Sequence, residues 1–112
     1  MRFDGAWSAV QRCDQFEDNS PFVSNLRPVQ IKGGQVTIER GQPGTPGWFT
    51  ANGTVGENGT LALSGSGISG IKNYIGREYA IVVRGTITET SYEGTGLFGR
   101  RNCSLHLTRL SN

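Results

Sequence analysis

Apolar residues recur at every second position through most of this chain, the pattern of strands with one buried face. From Gly5 to Cys13, Trp7, Ala9, Gln11 and Cys13 share one face, and Ser8, Val10 and Arg12 share the other. Gln11 is the weak member of that inner face. From Tyr79 to Thr88, Tyr79, Ile81, Val83 and Ile87 turn one way, while Ala80, Val82, Arg84, Thr86 and Thr88 turn the other. Near the end, Cys103, Leu105, Leu107 and Arg109 alternate with Ser104, His106 and Thr108. No stretch carries the period of a long helix. Ile71, Tyr74 and Ile75 have the spacing of a single helical turn, placed to plug a barrel end or lid a pocket.

Turn residues fix the register between these runs. Gly33-Gly34 predicts a two-residue hairpin in which both glycines take positive φ, setting Ile31 opposite Val36 and Val29 opposite Ile38. Glu57-Asn58-Gly59 predicts a three-residue loop that sets Val55 opposite Leu61 and Gly53 opposite Leu63. The glycine-rich run Tyr92 to Gly99 suits sharp curvature. Cys13 with Cys103 and Trp7 with Arg109 obey a single antiparallel register, so the first and last strands are expected to pair. The prediction is an all-β domain over residues 1–112: about eight strands in an antiparallel up-and-down barrel, closed by that pairing and carrying one disulfide.

With 112 residues, 35% hydrophobic and 18% charged, the composition is that of one small globular domain, and small domains have little core to spare. Closing a loop of about 90 residues with Cys13–Cys103 would remove about 4–5 kcal/mol of unfolded-state freedom. Such a bond persists in oxidising compartments, which predicts a periplasmic or extracellular location. Met1-Arg2-Phe3-Asp4 holds no apolar leader segment, so export would imply a longer precursor. No run approaches the roughly 18 apolar residues of a membrane-spanning helix. A net charge of +2, from 11 basic and 9 acidic residues, is too balanced to predict a nucleic-acid partner. That reading would need Arg27, Arg40, Arg84, Arg100 and Arg101 on one face with exposed aromatics.

Catalytic parts are sparse. His106, the single histidine, falls on an outward face and both cysteines are committed, so neither a zinc site nor a Cys–His nucleophile is expected. Asp14, Glu17 and Asp18 read as a solvated acidic loop rather than a carboxylate pair or a calcium site, whose spacing they lack. The run from Gly94 to Gly99 imitates a dinucleotide fingerprint but leads into a strand, not a helix. Three Asn-x-Ser/Thr sequences, at Asn52, Asn58 and Asn102, read as turn and strand residues. No enzyme activity and no cofactor are expected. Trp48, after the rigid Pro43-Gly44-Thr45-Pro46-Gly47 loop, together with Tyr74, Tyr79, Ala80 and Val82, are the candidate contacts. Outward Ala80 and Val82 make strand 79–88 apolar on both faces, which suits a homodimer or a neighbouring domain.

Gly5-Ala6-Trp7 at the start of the first strand, with Arg109 near the end of the last, resembles the Gly-x-Trp and terminal Arg signature of the calycins. That group contains lipocalins, fatty-acid-binding proteins, avidins and bacterial metalloprotease inhibitors. The resemblance implies that Trp7 closes one barrel end and Arg109 packs across its ring, a contact with a cation-π rationale. The pattern also resembles small domains appended to exported bacterial proteins. Two roles are implied: a non-enzymatic interaction or accessory module with a protein partner, and a barrel holding a small apolar ligand. Crowding of inner positions by residues such as Trp7, Ile31, Leu63 and Leu107 favours the first. A continuous apolar cavity of roughly 300 Å³ or more would reverse that order.

Overall fold

The computed structural model describes the backbone of residues 2–111 and the side chains of residues 2–110. Nine antiparallel strands and, among the described residues, no helix make up the fold: β1 (Gly5–Cys13), β2 (Phe22–Asn25), β3 (Val29–Ile31), β4 (Gln35–Arg40), β5 (Phe49–Thr54), β6 (Thr60–Ile68), β7 (Glu78–Ile87), β8 (Ser91–Phe98) and β9 (Arg101–Ser111). The sheet runs β2-β1-β9-β8-β7-β6-β5-β4, with β3 also on β1, and curls into a half-barrel. First and last strands pair from Trp7–Arg109 to Cys13–Cys103, and the two cysteines form the predicted disulfide.

Alternation places the core as expected. Trp7, Ile31, Val36, Ile38, Phe49, Leu61, Leu63, Ile81, Val83, Tyr92, Leu105 and Leu107 are fully buried, and Gln11 is buried beside them. Each large aliphatic side chain removed from water in this way contributes about 1.5–3 kcal/mol before entropy is set against it. The loop at Glu57–Gly59 keeps the predicted register, since Gly56 N–H donates to the Thr60 carbonyl at 2.8 Å and Gly59 takes φ 77°.

The second strand departs from expectation. It breaks at Leu26-Arg27-Pro28 into β2 and β3, and both pieces pair with β1. Gly33 and Gly34 do form the predicted turn with φ of 60° and 76°. Beyond the Lys32–Gln35 bridge, however, no ladder joins β3 to β4 among the described residues. The Asp4 carboxylate accepts the N–H groups of Gly33 at 2.8 Å and Gly34 at 3.0 Å, drawing the turn toward the start of β1, on which β3 already pairs. These two donors also hold the Asp4 carboxyl below its ordinary value. Val29, Ile31, Val36 and Ile38 still meet in the core, so packing survives where backbone pairing stops. Side chains bridge the seam instead: Arg40 Nη1 donates to Gln11 Oε1 at 3.0 Å, and Arg27 bonds Glu39 and the Gly41 carbonyl.

At the end of the half-barrel nearest the chain termini, Trp7 donates its indole N–H to the Phe3 carbonyl, and the Arg109 guanidinium lies 5.5 Å from the Trp7 ring centre. Arg109 donates further to the carbonyls of Arg2, Asp4 and Glu89, tying the N-terminal segment to the β7–β8 turn. Its Nε is buried without a partner among the described residues.

Two stability outcomes are expected. Arg109→Ala should cost about 2–3 kcal/mol in denaturant unfolding, because charged donors to three carbonyls are lost, and Arg109→Lys should recover only part, since an ammonium lacks the planar fork. Replacing Cys13 and Cys103 together with Ala should lower the unfolding free energy by about 4–5 kcal/mol through loop-closure entropy, read as a shift in the guanidinium midpoint.

Candidate functional site

All four connections at the disulfide end of the half-barrel converge on one hollow: residues 14–21 after β1, 41–48 after β4, 69–77 after β6, and Gly99-Arg100 after β8. They rim a cavity of about 540 Å³. Its floor is the end of the core, where Gln11, Cys13, Cys103 and Phe98 face it, and its walls carry Phe16, Phe22, Tyr74 and Tyr79. The volume falls within the roughly 300–1,000 Å³ common among small-molecule pockets.

Tyr79 owes its place to a missing side chain. It pairs with Gly67 on β6, and a Cβ there would sit 2.5 Å from the Tyr79 hydroxyl, so the ring lies flat over the strand. Burial pushes the Tyr79 phenol above its ordinary value, offset in part by the nearby Arg40 charge. Tyr74 sits on the facing loop and donates to the Glu17 carboxylate at 2.7–2.8 Å, a bond that raises its own pKa, while its ring meets Phe16 at 6.1 Å. Residues 71–76 form two hydrogen-bonded turns, Tyr74 N–H to Ile71 carbonyl and Arg77 N–H to Tyr74 carbonyl, rather than the predicted helical turn. Ile75 is therefore exposed while Ile71 and Tyr74 face the hollow.

Charge around the cavity is one-sided. Arg40, Lys72, Arg77, Arg100 and Arg101 line it against a single carboxylate, Glu78. Arg101 is only 6% exposed. It donates Nε to the Asp14 carbonyl and Nη2 to the Ser20 carbonyl, both at 2.7 Å, which straps the 14–21 loop in place, and it stacks 4.8 Å from the Phe22 ring centre. Desolvation lowers its pKa, opposed by Asp14. Arg40 lies against the same ring at 5.5 Å. Neither guanidinium has a carboxylate within ion-pair distance among the described residues.

The structure separates the sequence candidates. Tyr74 and Tyr79 line the cavity. Trp48 does not: it is half-buried and donates its indole N–H to Glu39 at 3.0 Å. Ala80 and Val82 lie on the outer face, where Val82 at 48% exposure pairs with Leu97 at 46%. Of the five arginines weighed for nucleic acid, Arg40, Arg100 and Arg101 gather at the cavity, whereas Arg27 and Arg84 do not. His106 is on the outer face, bonded to Glu93 and Thr108. Phe16, Phe22, Arg40 and Arg101 are the site residues that strand patterning missed. The only local signal was Arg100-Arg101 beside a glycine turn.

Among the described residues, no three His, Cys, Asp or Glu side chains gather closely enough to hold a metal ion, and no helix is long and apolar enough to cross a membrane. Guanidiniums, phenols, an ammonium, the Glu78 carboxylate, the amides of Gln11 and Asn19 and the hydroxyls of Ser20 and Ser69 form the polar lining. No family model matches this chain, and neither a curated protein nor a solved structure matches it.

Proposed function

We propose that this chain is a non-enzymatic binding module that takes one small organic molecule at the disulfide end of its barrel. The hollow of about 540 Å³ carries the reading, because its volume falls within the roughly 300–1,000 Å³ of small-molecule sites, although it is a charged hollow above the core and not the continuous apolar interior cavity expected to favour a ligand. The interior beneath is filled with side chains, so the molecule would sit on the core rather than within it. The calycin likeness of Trp7 and Arg109 supports the same division, one end plugged and the other open. The disulfide fits residence in an oxidising compartment, periplasmic or extracellular.

An interaction role keeps one observation of its own, the exposed Val82–Leu97 pair on the outer face next to Ala80. A second copy docked there would appear in sedimentation velocity as a concentration-dependent dimer that Val82→Glu abolishes. A constant monomer mass would remove that reading.

For the cavity, the neutral fluorophore N-phenyl-1-naphthylamine should bind saturably at one per chain. Ile68→Trp, which enlarges a side chain on the cavity wall, should weaken it roughly tenfold, the scale of about 1.4 kcal/mol of lost contact. Native mass spectrometry of protein taken from its source should show a retained small molecule. Absence of saturable binding would refute the cavity reading.

A further inference from the structure

Resting on the cavity reading above, we infer that the ligand is an organic anion: an aromatic or apolar body bearing a carboxylate or comparable acidic head, with Arg101 and Arg40 holding the head. Three observations converge. First, a guanidinium removed from water is costly unless an anion or a full set of acceptors compensates it. Arg101, only 6% exposed, has two carbonyl acceptors and no carboxylate, and its Nη1 makes no protein hydrogen bond among the described residues and is not sealed from the hollow. Second, Arg40 uses only Nη1, on Gln11, leaving Nε and Nη2 without a protein acceptor among the described residues. Both guanidiniums lie against the Phe22 ring, so two donor sets meet at one wall of the cavity. Third, five cationic residues line the cavity against Glu78, with Glu17 at the rim tied to Tyr74 and Asp14 beside Arg101, and the cationic excess that remains raises the local concentration of anions.

Apolar chemistry selects the body that carries this head. Phe16, Tyr74 and Tyr79 form walls with no matching donor array, which suits a ring or a short hydrocarbon and not an extended polar chain. An inorganic anion alone would leave those walls unfilled. A polyanion such as nucleic acid would need basic residues running outward along the surface, whereas Arg27 and Arg84 stand away from the site.

The experiment compares two probes with one body, naphthalene-1-carboxylate and naphthalene-1-methanol, by calorimetric titration of the intact disulfide-bonded chain. The carboxylate should bind roughly tenfold or more tighter than the alcohol, as expected for hydrogen bonds to a charged group. That preference should fall to about twofold or less in Arg40→Met and in Arg101→Met, while the alcohol's affinity changes little. Arg101 also straps the 14–21 loop, so Arg40→Met decides if Arg101→Met unfolds. Arg12→Met, on the outer face of β1, should keep the full preference. Equal affinity for the two probes, or loss of the preference in Arg12→Met, would overturn the anion assignment and leave the cavity reading standing. Failure of both probes to bind would overturn the cavity reading itself, and the anion assignment with it.

Discussion

Pairing between the two ends of the chain is the constraint on which the rest of the molecule depends. β1 and β9 together make eight residue pairs from Ala6–Ser111 to Cys13–Cys103, with one irregularity beside Trp7, and the covalent bond sits at the last of them. Without that pairing β9 would be a free edge of the meander from β4 to β9, and long free edges invite association with other chains. With it, Trp7 and Arg109 lie across one end of the half-barrel and the disulfide lies at the other. The two ends consequently differ in character. One is packed around an indole, and the other is left to loops.

That division explains where a site can exist. Strand interiors alternate in and out, so their inward side chains are consumed by the core, and at the disulfide end it is the loops that bring polar groups to face a hollow. Arg101 links the two regimes. It begins β9, a strand fixed by the end-to-end pairing, and its guanidinium reaches the carbonyls on either side of the 14–21 loop. The barrel thus positions the loop through a single long side chain. The same side chain carries charge into a region of low exposure.

Architecture was legible in the sequence because it is written locally. Period-two alternation identified the inner faces, and Gly33-Gly34 and Glu57-Asn58-Gly59 fixed two turns through residues able to adopt positive φ. Matching positions of Cys13 with Cys103 supplied the one long-range pairing. What escaped was set by contacts between distant positions. The β3–β4 ladder stops after the Lys32–Gln35 bridge while Asp4 accepts the Gly33 and Gly34 amides, and nothing in residues 29–38 announces either. The cavity depends on Arg101 holding residues 14 and 20, and on Tyr74 meeting Glu17 57 positions away. Loop conformations governed by such remote partners have no periodic trace. Tyr79 was read as inward from its strand, but its exposure to a hollow rather than to the core required Gly67 opposite it.

Adjacency of Ala6 and Ser111 in one ladder has a topological consequence. The polypeptide enters and leaves the fold at neighbouring points, so the whole unit is geometrically suited to insertion into a surface loop of a host protein, or to being re-joined through a short linker and cut between exposed turn residues such as Glu57 and Asn58. Either rearrangement would leave the cavity mouth at the far end untouched, because its four rim connections are distant from the start of β1 and the end of β9.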